Sequence, residues 1–273
     1  MTTTRSYGIT EQATAGSSAE QHAETLQLLG YTVVPSGYSE AEIQTMREKL
    51  DAELARQEAA EGGPEVMAKM GEADTIRAVL VGEPSFLDVA TNDNILSIAK
   101  LLLGDYFILM QQNGVVNQPA KGGHQQSRYH RDLPYQHWTS SRPLGVTAVL
   151  ALDPFEVETG CTSVLPGSHK IEAFPSQESA EAAEVPVRAP AGSYLVFDSM
   201  LFHRGGVNTS NGPRRAITNV YTIPLIKQQI SFPAALNGRW SEDPFLSKLL
   251  GYESETSSSV EDYRKGRRAK AGM

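Results

Sequence analysis

Long apolar runs, cysteine and net positive charge are all scarce in this sequence, and each scarcity narrows its class. No apolar stretch approaches the ~20 residues that cross a bilayer, so neither a transmembrane helix nor a membrane partner is expected. The opening residues Met1-Thr2-Thr3-Thr4-Arg5-Ser6 lack the apolar core of a secretory signal. Cys161 is the one cysteine among 273 residues. An intrachain disulfide is therefore excluded, a reducing cytoplasm is the expected location, and the thiol is read as a packing group. Lys and Arg number 24 against 32 Asp and Glu, a formal net charge of −8 that argues against a nucleic-acid partner. Internal repeats are also missing, which removes solenoids and propellers.

What remains has length enough for one sizeable core. Residues 1–18 are polar, small and aperiodic, and are expected to be mobile. A helix is predicted over 19–29 with Ser18 as its cap, then a strand over Tyr31–Val34. Ser39 and Glu42 form a capping box for a helix over 40–60, which Gly62-Gly63-Pro64 breaks. The Met- and Gly-rich segment that follows, to about Asp74, reads as a plain surface connection, with a loop over a site as the less favoured reading. Ile95, Leu96, Ile98, Ala99, Leu102 and Leu103 predict a helix over 93–103, stopped by Gly104. Strands are predicted at 106–118, 145–152, 162–165, 193–198 and 215–223, and a short helix from Pro244 to Gly251. Residues 254–273 end in a basic run and read as a solvated, disordered polar tail. Helices first and strands second imply a mainly β fold with flanking helices. A double-sheet jelly roll, a double-stranded β-helix of the cupin-like kind, is the economical architecture, with 19–253 as a single domain and its core at about 105–225.

The chemistry concentrates in the strand half. His130-Arg131-Asp132 lies in the middle, His203 follows the apolar strand Tyr194-Leu195-Val196-Phe197, and Arg214 opens the last strand. A lone His-x-Asp arises by chance in a chain with 6 His and 32 acidic residues. Its context gives this one weight. Residues two apart on a strand share a face, so His130 and Asp132 can reach one metal while Arg131 looks away. Two imidazoles and a carboxylate form the facial triad of non-haem Fe(II) sites, leaving open positions opposite. Arg214 adds a fork-shaped cation suited to a carboxylate.

Several segments carry a family resemblance. They are Tyr129-His130-Arg131-Asp132, the run Gly160-Cys161-Thr162-Ser163-Val164-Leu165-Pro166-Gly167-Ser168-His169-Lys170, and Gly192 through Phe197. His203 through Asn208 to Arg214-Arg215 continues the match. With the opening Leu29–Pro35, they resemble the phytanoyl-CoA dioxygenase family of Fe(II)- and 2-oxoglutarate-dependent oxygenases. The resemblance implies Fe(II) on His130, Asp132 and His203, with 2-oxoglutarate as co-substrate and O₂ as the other reactant. It implies Arg214 as the anchor of the remote carboxylate of 2-oxoglutarate, with Asn117 and Thr147 hydrogen-bonding the same molecule; ordinary buried polar packing is the alternative for those two. Arg215 competes with Arg214, since only one of two adjacent strand residues points inward and a bulge would shift the register.

Halogenating relatives lack the carboxylate ligand. Asp132 therefore implies hydroxylation or desaturation of a C–H bond in a small or medium organic substrate. Asn113, Tyr135, His137 and Trp138 are the candidate substrate-lining residues, and Gln112, Arg128 and Arg204 are further polar candidates. The runner-up reading is a cupin-like protein that binds a metal without oxidative chemistry, and a homo-oligomer is left open.

Overall fold

The computed structural model describes residues 14–119, 127–133 and 138–272. Ser17, not Ser18, caps the first helix, α1 (Ser18–Leu29), through a box with Glu20, and Gly30 ends it in the left-handed region. Strand β1 (Tyr31–Pro35) follows. The Ser39–Glu42 box opens α2 (Glu40–Glu61) as expected, and Gly62 closes it at φ 99°. Short helices α3 (Pro64–Lys69), α4 (Val79–Gly82) and α5 (Leu87–Ala90) and a two-residue strand β2 (Thr75–Ile76) lead to α6 (Asp93–Leu103). The strand half runs β3 (Ile108–Asn117), β4 (Gly145–Ala151), β5 (Thr162–Val164), α7 (Gln177–Ala183), β6 (Val185–Pro186), β7 (Ser193–Asp198), β8 (His203–Gly205) and β9 (Arg214–Thr222).

The strands form two facing sheets. The larger has the order β1-β7-β4-β9-β3-β2 and the smaller β6-β5-β8, to which His130 adds a bridge beside His203. Every β4 residue is buried, because the larger sheet is covered on both faces. Ala148 and Leu150 face Leu50, Ile95 and Ile98 of the flanking helices. Val149 and Ala151 face the other way, toward Val164 and Phe155 between the sheets. This is the jelly roll that the strand spacing predicts.

One expectation changes among residues 254–272, which are not an irregular tail: α8 (Phe232–Leu236) and α9 (Pro244–Leu249) are followed by α10 (Val260–Lys270), exposed along its described side chains. Ser259 caps the start of α10, its hydroxyl accepting from the Asp262 amide at 3.0 Å, and the Arg- and Lys-rich run that follows favours helix locally. The segment up to Asp74 carries α3 and is largely exposed. It leads into β2, which pairs with β3 through Thr75–Val115 and Ile76–Gly114 and so enters the larger sheet at its edge.

Candidate metal centre

His130 and His203 face each other across a reciprocal backbone pair. The His130 amide donates to the His203 carbonyl at 2.9 Å, and the His203 amide donates back at 3.1 Å. Their rings stand 4.3 Å apart between centroids. The expected strand at 130–132 is a single bridge followed by a bend, yet Asp132 still turns to the same space, held by its amide on the Ser199 carbonyl at 3.0 Å. Asp132 Oδ1 lies 3.4 Å from Nε2 of His203 and 3.9 Å from Nε2 of His130. One donor atom from each of the three residues falls within 4.8 Å of the others.

The surroundings orient each donor. Nδ1 of His130 meets the Arg128 carbonyl at 2.9 Å, and Nδ1 of His203 meets the Leu201 carbonyl at 3.0 Å. With Nδ1 protonated in both rings, each Nε2 presents a lone pair to the shared space. Thr147 donates to Asp132 Oδ2 at 2.6 Å and shares a 2.9 Å hydrogen bond with Ser199. That leaves Oδ1 turned toward the imidazoles. Burial opposes the charge on Asp132, but the two imidazoles and the Thr147 hydroxyl outweigh it and hold its pKa below the ordinary value. Burial lowers the pKa of His130, with His203 adding to the effect. Burial also acts downward on His203, where Asp132 overcomes it and the net direction is up. Arg131 does look away. Its buried guanidinium donates to the carbonyls of Met200, Glu172, Ser168 and Ile171, and its Cζ sits 3.8 Å from the centre of the Phe202 ring.

The three donors open on a cavity of about 90 Å³ that Arg214 also lines. Arg214 is 6% exposed, and among the described residues its guanidinium has no hydrogen-bond or ion-pair partner; its Nε is fully buried. Phe155 stacks beneath it at 4.6 Å. Burial depresses its pKa to about 10, opposed only by Cys161 and Asp153 at a distance. Arg215, on the opposite face of β9, is committed to other groups. It holds Asp51 with two bonds of 2.7 and 2.8 Å, and its Nη1 reaches Asp153 at 3.1 Å. The inward arginine is therefore 214.

Other candidates fall elsewhere. Neither Asn117 nor Thr147 lines the cavity. The Asn117 amide donates to the Gly206 carbonyl at 3.1 Å, and the Thr147 hydroxyl serves Asp132, so each has its donor engaged by protein. Gln112 faces the helices, bonded to Phe86, Leu80 and Asn219. Arg204 forms a two-bond pair with Glu184 at 2.7 Å and does not line this cavity; nor does Arg128. Asn113 lines the cavity, with its amide held by Ala78 and Gln229. Trp138 is 57% exposed and lies outside the lining, while Tyr135 and His137 fall outside the described residues. Cys161 is free, buried and packed between the sheets. Sequence reasoning missed Thr75, Arg77, Gln111, Thr162 and Thr218 as cavity residues.

The phytanoyl-CoA dioxygenase family model matches residues 26–216, which span both sheets and all three donors. The chain belongs to the phytanoyl-CoA dioxygenase family. Its iron- and 2-oxoglutarate-dependent chemistry is that of an oxygenase family, and the donor set suits it. An uncharacterized protein of Mycobacterium tuberculosis is 31% identical over 252 residues, covering 90% of this chain and 91% of that one. An iron/α-ketoglutarate-dependent dioxygenase of Penicillium thymicola is 28% identical over 190 residues, covering 64% and 58%. Among solved structures, EctD from S. alaskensis superposes with TM-score 0.62 at 21% identity, covering 77% of this chain and 78% of its own. The epimerase SnoN, in complex with Fe3+, α-ketoglutarate and nogalamycin RO, gives TM-score 0.60 at 20% identity, covering 78% and 88%. At these identities the two structures establish the shared fold. Among the described residues no helix is long and apolar enough to cross a membrane.

Proposed function

We propose that the chain hydroxylates or desaturates an unactivated C–H bond of a small or medium organic substrate, converting 2-oxoglutarate to succinate and CO₂. His130, Asp132 and His203 would hold Fe(II), and Arg214 would hold the remote carboxylate of 2-oxoglutarate. Fe(II), when bound, supplies the activation of O₂ that decarboxylation of 2-oxoglutarate drives. The residues of the chain bind and orient. The carbonyls of Arg128 and Leu201 fix the imidazole tautomers, and Thr147 fixes the carboxylate. Arg214 presents its fork to an acid, and Phe197, 4.5 Å from the His203 ring, helps wall the site from water.

The observation that carries this reading is Arg214: a buried guanidinium without an acceptor among the described residues, in the cavity that holds the three donors. A buried cation is costly unless paired, and a dicarboxylate co-substrate supplies the missing partner. A metal-binding cupin without oxidative chemistry has no use for that cation, which disfavours the runner-up. Cytoplasmic residence is proposed from the lone, buried Cys161. The direct test is to incubate the protein with Fe(II), 2-oxoglutarate, O₂ and a pool of metabolites. Succinate release together with a product heavier by one oxygen, or lighter by two hydrogens, is expected. Metal binding without succinate release in any pool would favour the non-oxidative protein instead.

A further inference from the structure

Beyond the metal donors and Arg214, the cavity wall carries a second polar cluster on β3, β9 and the residue that follows β2. In the register of the larger sheet Asn113 of β3 pairs with Thr218 of β9, and Asn117 pairs with Arg214. Thr218 and Arg214 therefore share a face of β9 four residues apart, about 13 Å at strand rise. On the other side of β3, β2 continues from its Ile76–Gly114 pair so that Arg77 arrives beside Asn113, where the Ala78 amide donates to the Asn113 side chain at 3.2 Å. Arg77, Gln111 and Thr218 all line the cavity. Among the described residues the side chains of Gln111 and Thr218 make no hydrogen bond to protein.

Arg77 is held at every level. Its backbone amide and carbonyl are both bound by the Gln57 side chain, at 2.9 and 2.8 Å. Its guanidinium meets Glu72 through Nε and Nη2, both at 2.6 Å, and Gln229 through Nη1 at 3.3 Å. A guanidinium has five N–H groups, so one on each Nη is left over. Glu72 fixes the fork but does not itself line the cavity, where Asp132 is the only carboxylate among the described residues. The two remaining guanidinium N–H groups, beside a hydroxyl and an amide that make no hydrogen bond among the described residues, form a donor-lined site for an acceptor group, and a hydrocarbon substrate would leave those donors unanswered.

We infer that the substrate of this enzyme is a small polar molecule whose carboxylate is received by Arg77, with Thr218 and Gln111 hydrogen-bonding beside it. This rests on the reading of the cavity given above, with Arg214 serving 2-oxoglutarate. The cavity then holds two carboxylates on two arginines, and the oxidised C–H bond lies on the part of the substrate between Arg77 and the metal donors.

The test uses the full chain loaded with Zn(II), which supports no turnover, and saturated with 2-oxoglutarate so that Arg214 is taken. Matched small probes, N-acetyl amino acids and the corresponding carboxamides, are then compared by ligand-observed NMR. The wild type is expected to bind the acids at least about tenfold more tightly than the amides, within the millimolar range. Arg77→Ala should abolish that preference and Arg77→Lys should restore part of it, since the charge returns without the fork. Persistent 2-oxoglutarate binding in these variants shows that the fold and the Arg214 site are intact, which separates failure of this inference from failure of the proposed function. If Arg77→Ala loses 2-oxoglutarate as well, Thr218→Val replaces it, because it leaves the Glu72–Arg77 pair in place; a severalfold weaker acid is expected. Equal binding of acids and amides by the wild type overturns the inference. So does binding of neither at about 10 mM, or an acid preference unchanged by Arg77→Ala or by its Thr218→Val replacement.

Discussion

Exchanging Arg214 and Arg215 for alanine, one at a time, should separate binding from stability in opposite directions. Arg214 is buried beside Phe155 with no acceptor among the described residues, and burial holds its pKa at about 10 from an ordinary 12.5. That depression corresponds to about 3 kcal/mol of uncompensated desolvation at neutral pH. Arg214→Ala removes a cost along with the side chain. The ligand-free protein should therefore be as stable as the wild type, or more so once the cavity left behind is offset. Its affinity for 2-oxoglutarate should fall by about 3–5 kcal/mol, a rise of roughly 150- to 5,000-fold in the co-substrate required, because a buried carboxylate loses its partner. Arg215 has the opposite profile. Its ion pairs with Asp51 and Asp153 are only partly buried, so Arg215→Ala should cost about 1 kcal/mol of stability and leave 2-oxoglutarate affinity near wild type. Thermal unfolding without ligand and calorimetric titration of 2-oxoglutarate measure the two quantities independently. A crippled co-substrate affinity in Arg215→Ala, with Arg214→Ala unaffected, would refute the assignment of the inward face of β9.

Thr147→Val removes the hydroxyl that donates to Asp132 at 2.6 Å and should weaken metal binding about 10–100-fold while sparing 2-oxoglutarate affinity. The reverse pattern in paired metal and 2-oxoglutarate titrations would return Thr147 to the co-substrate. Asp132→Gly opens a ligand position and should reduce hydroxylation steeply, with chloride free to enter; undiminished hydroxylation would show that Asp132 is not a ligand. Burial lifts the pKa of Asp198 to about 6 from 3.8, so the folded protein retains a proton that the unfolded chain has already released. Its contribution to stability is full below the ordinary value and is lost as pH rises through about 6. Asp198→Asn keeps the oxygen that accepts from Met200 and mimics the protonated group. It should add roughly 2–3 kcal/mol more stability at about pH 8 than at about pH 4, measured by urea unfolding, and equal effects at the two values would count against the burial argument.

The strand half was readable because its signals are local. Apolar runs at Val146–Leu150 and Tyr194–Phe197, bounded by turn residues, mark β4 and β7, and His130, Asp132 and His203, which the sequence offers as one donor set, come within 4.8 Å of one another. Period two carries a further signal: Ala216 and Thr218 follow Arg214 on one face of β9, so the alternation that turns Arg214 to the cavity turns Thr218 there as well. Arg77 had no such signal. It follows a two-residue strand whose only marker is its pairing with β3, a contact between segments far apart in sequence. Thr147 shows the converse difficulty. A sequence locates a polar residue on an inward strand but does not say whether its hydroxyl serves a ligand or the carboxylate next to that ligand. The exposed α10 reads in sequence as a disordered tail because a mostly polar helix has no apolar stripe, and only its Ser cap and helix-favouring residues mark it.

An anaerobic Fe(II) titration of the wild type and His203→Ala, in the presence of 2-oxoglutarate, tests the central claim most directly. One Fe(II) bound per chain by the wild type, with affinity lost in His203→Ala, is the expected result. An unchanged stoichiometry and affinity in His203→Ala would contradict the metal centre and every function built on it.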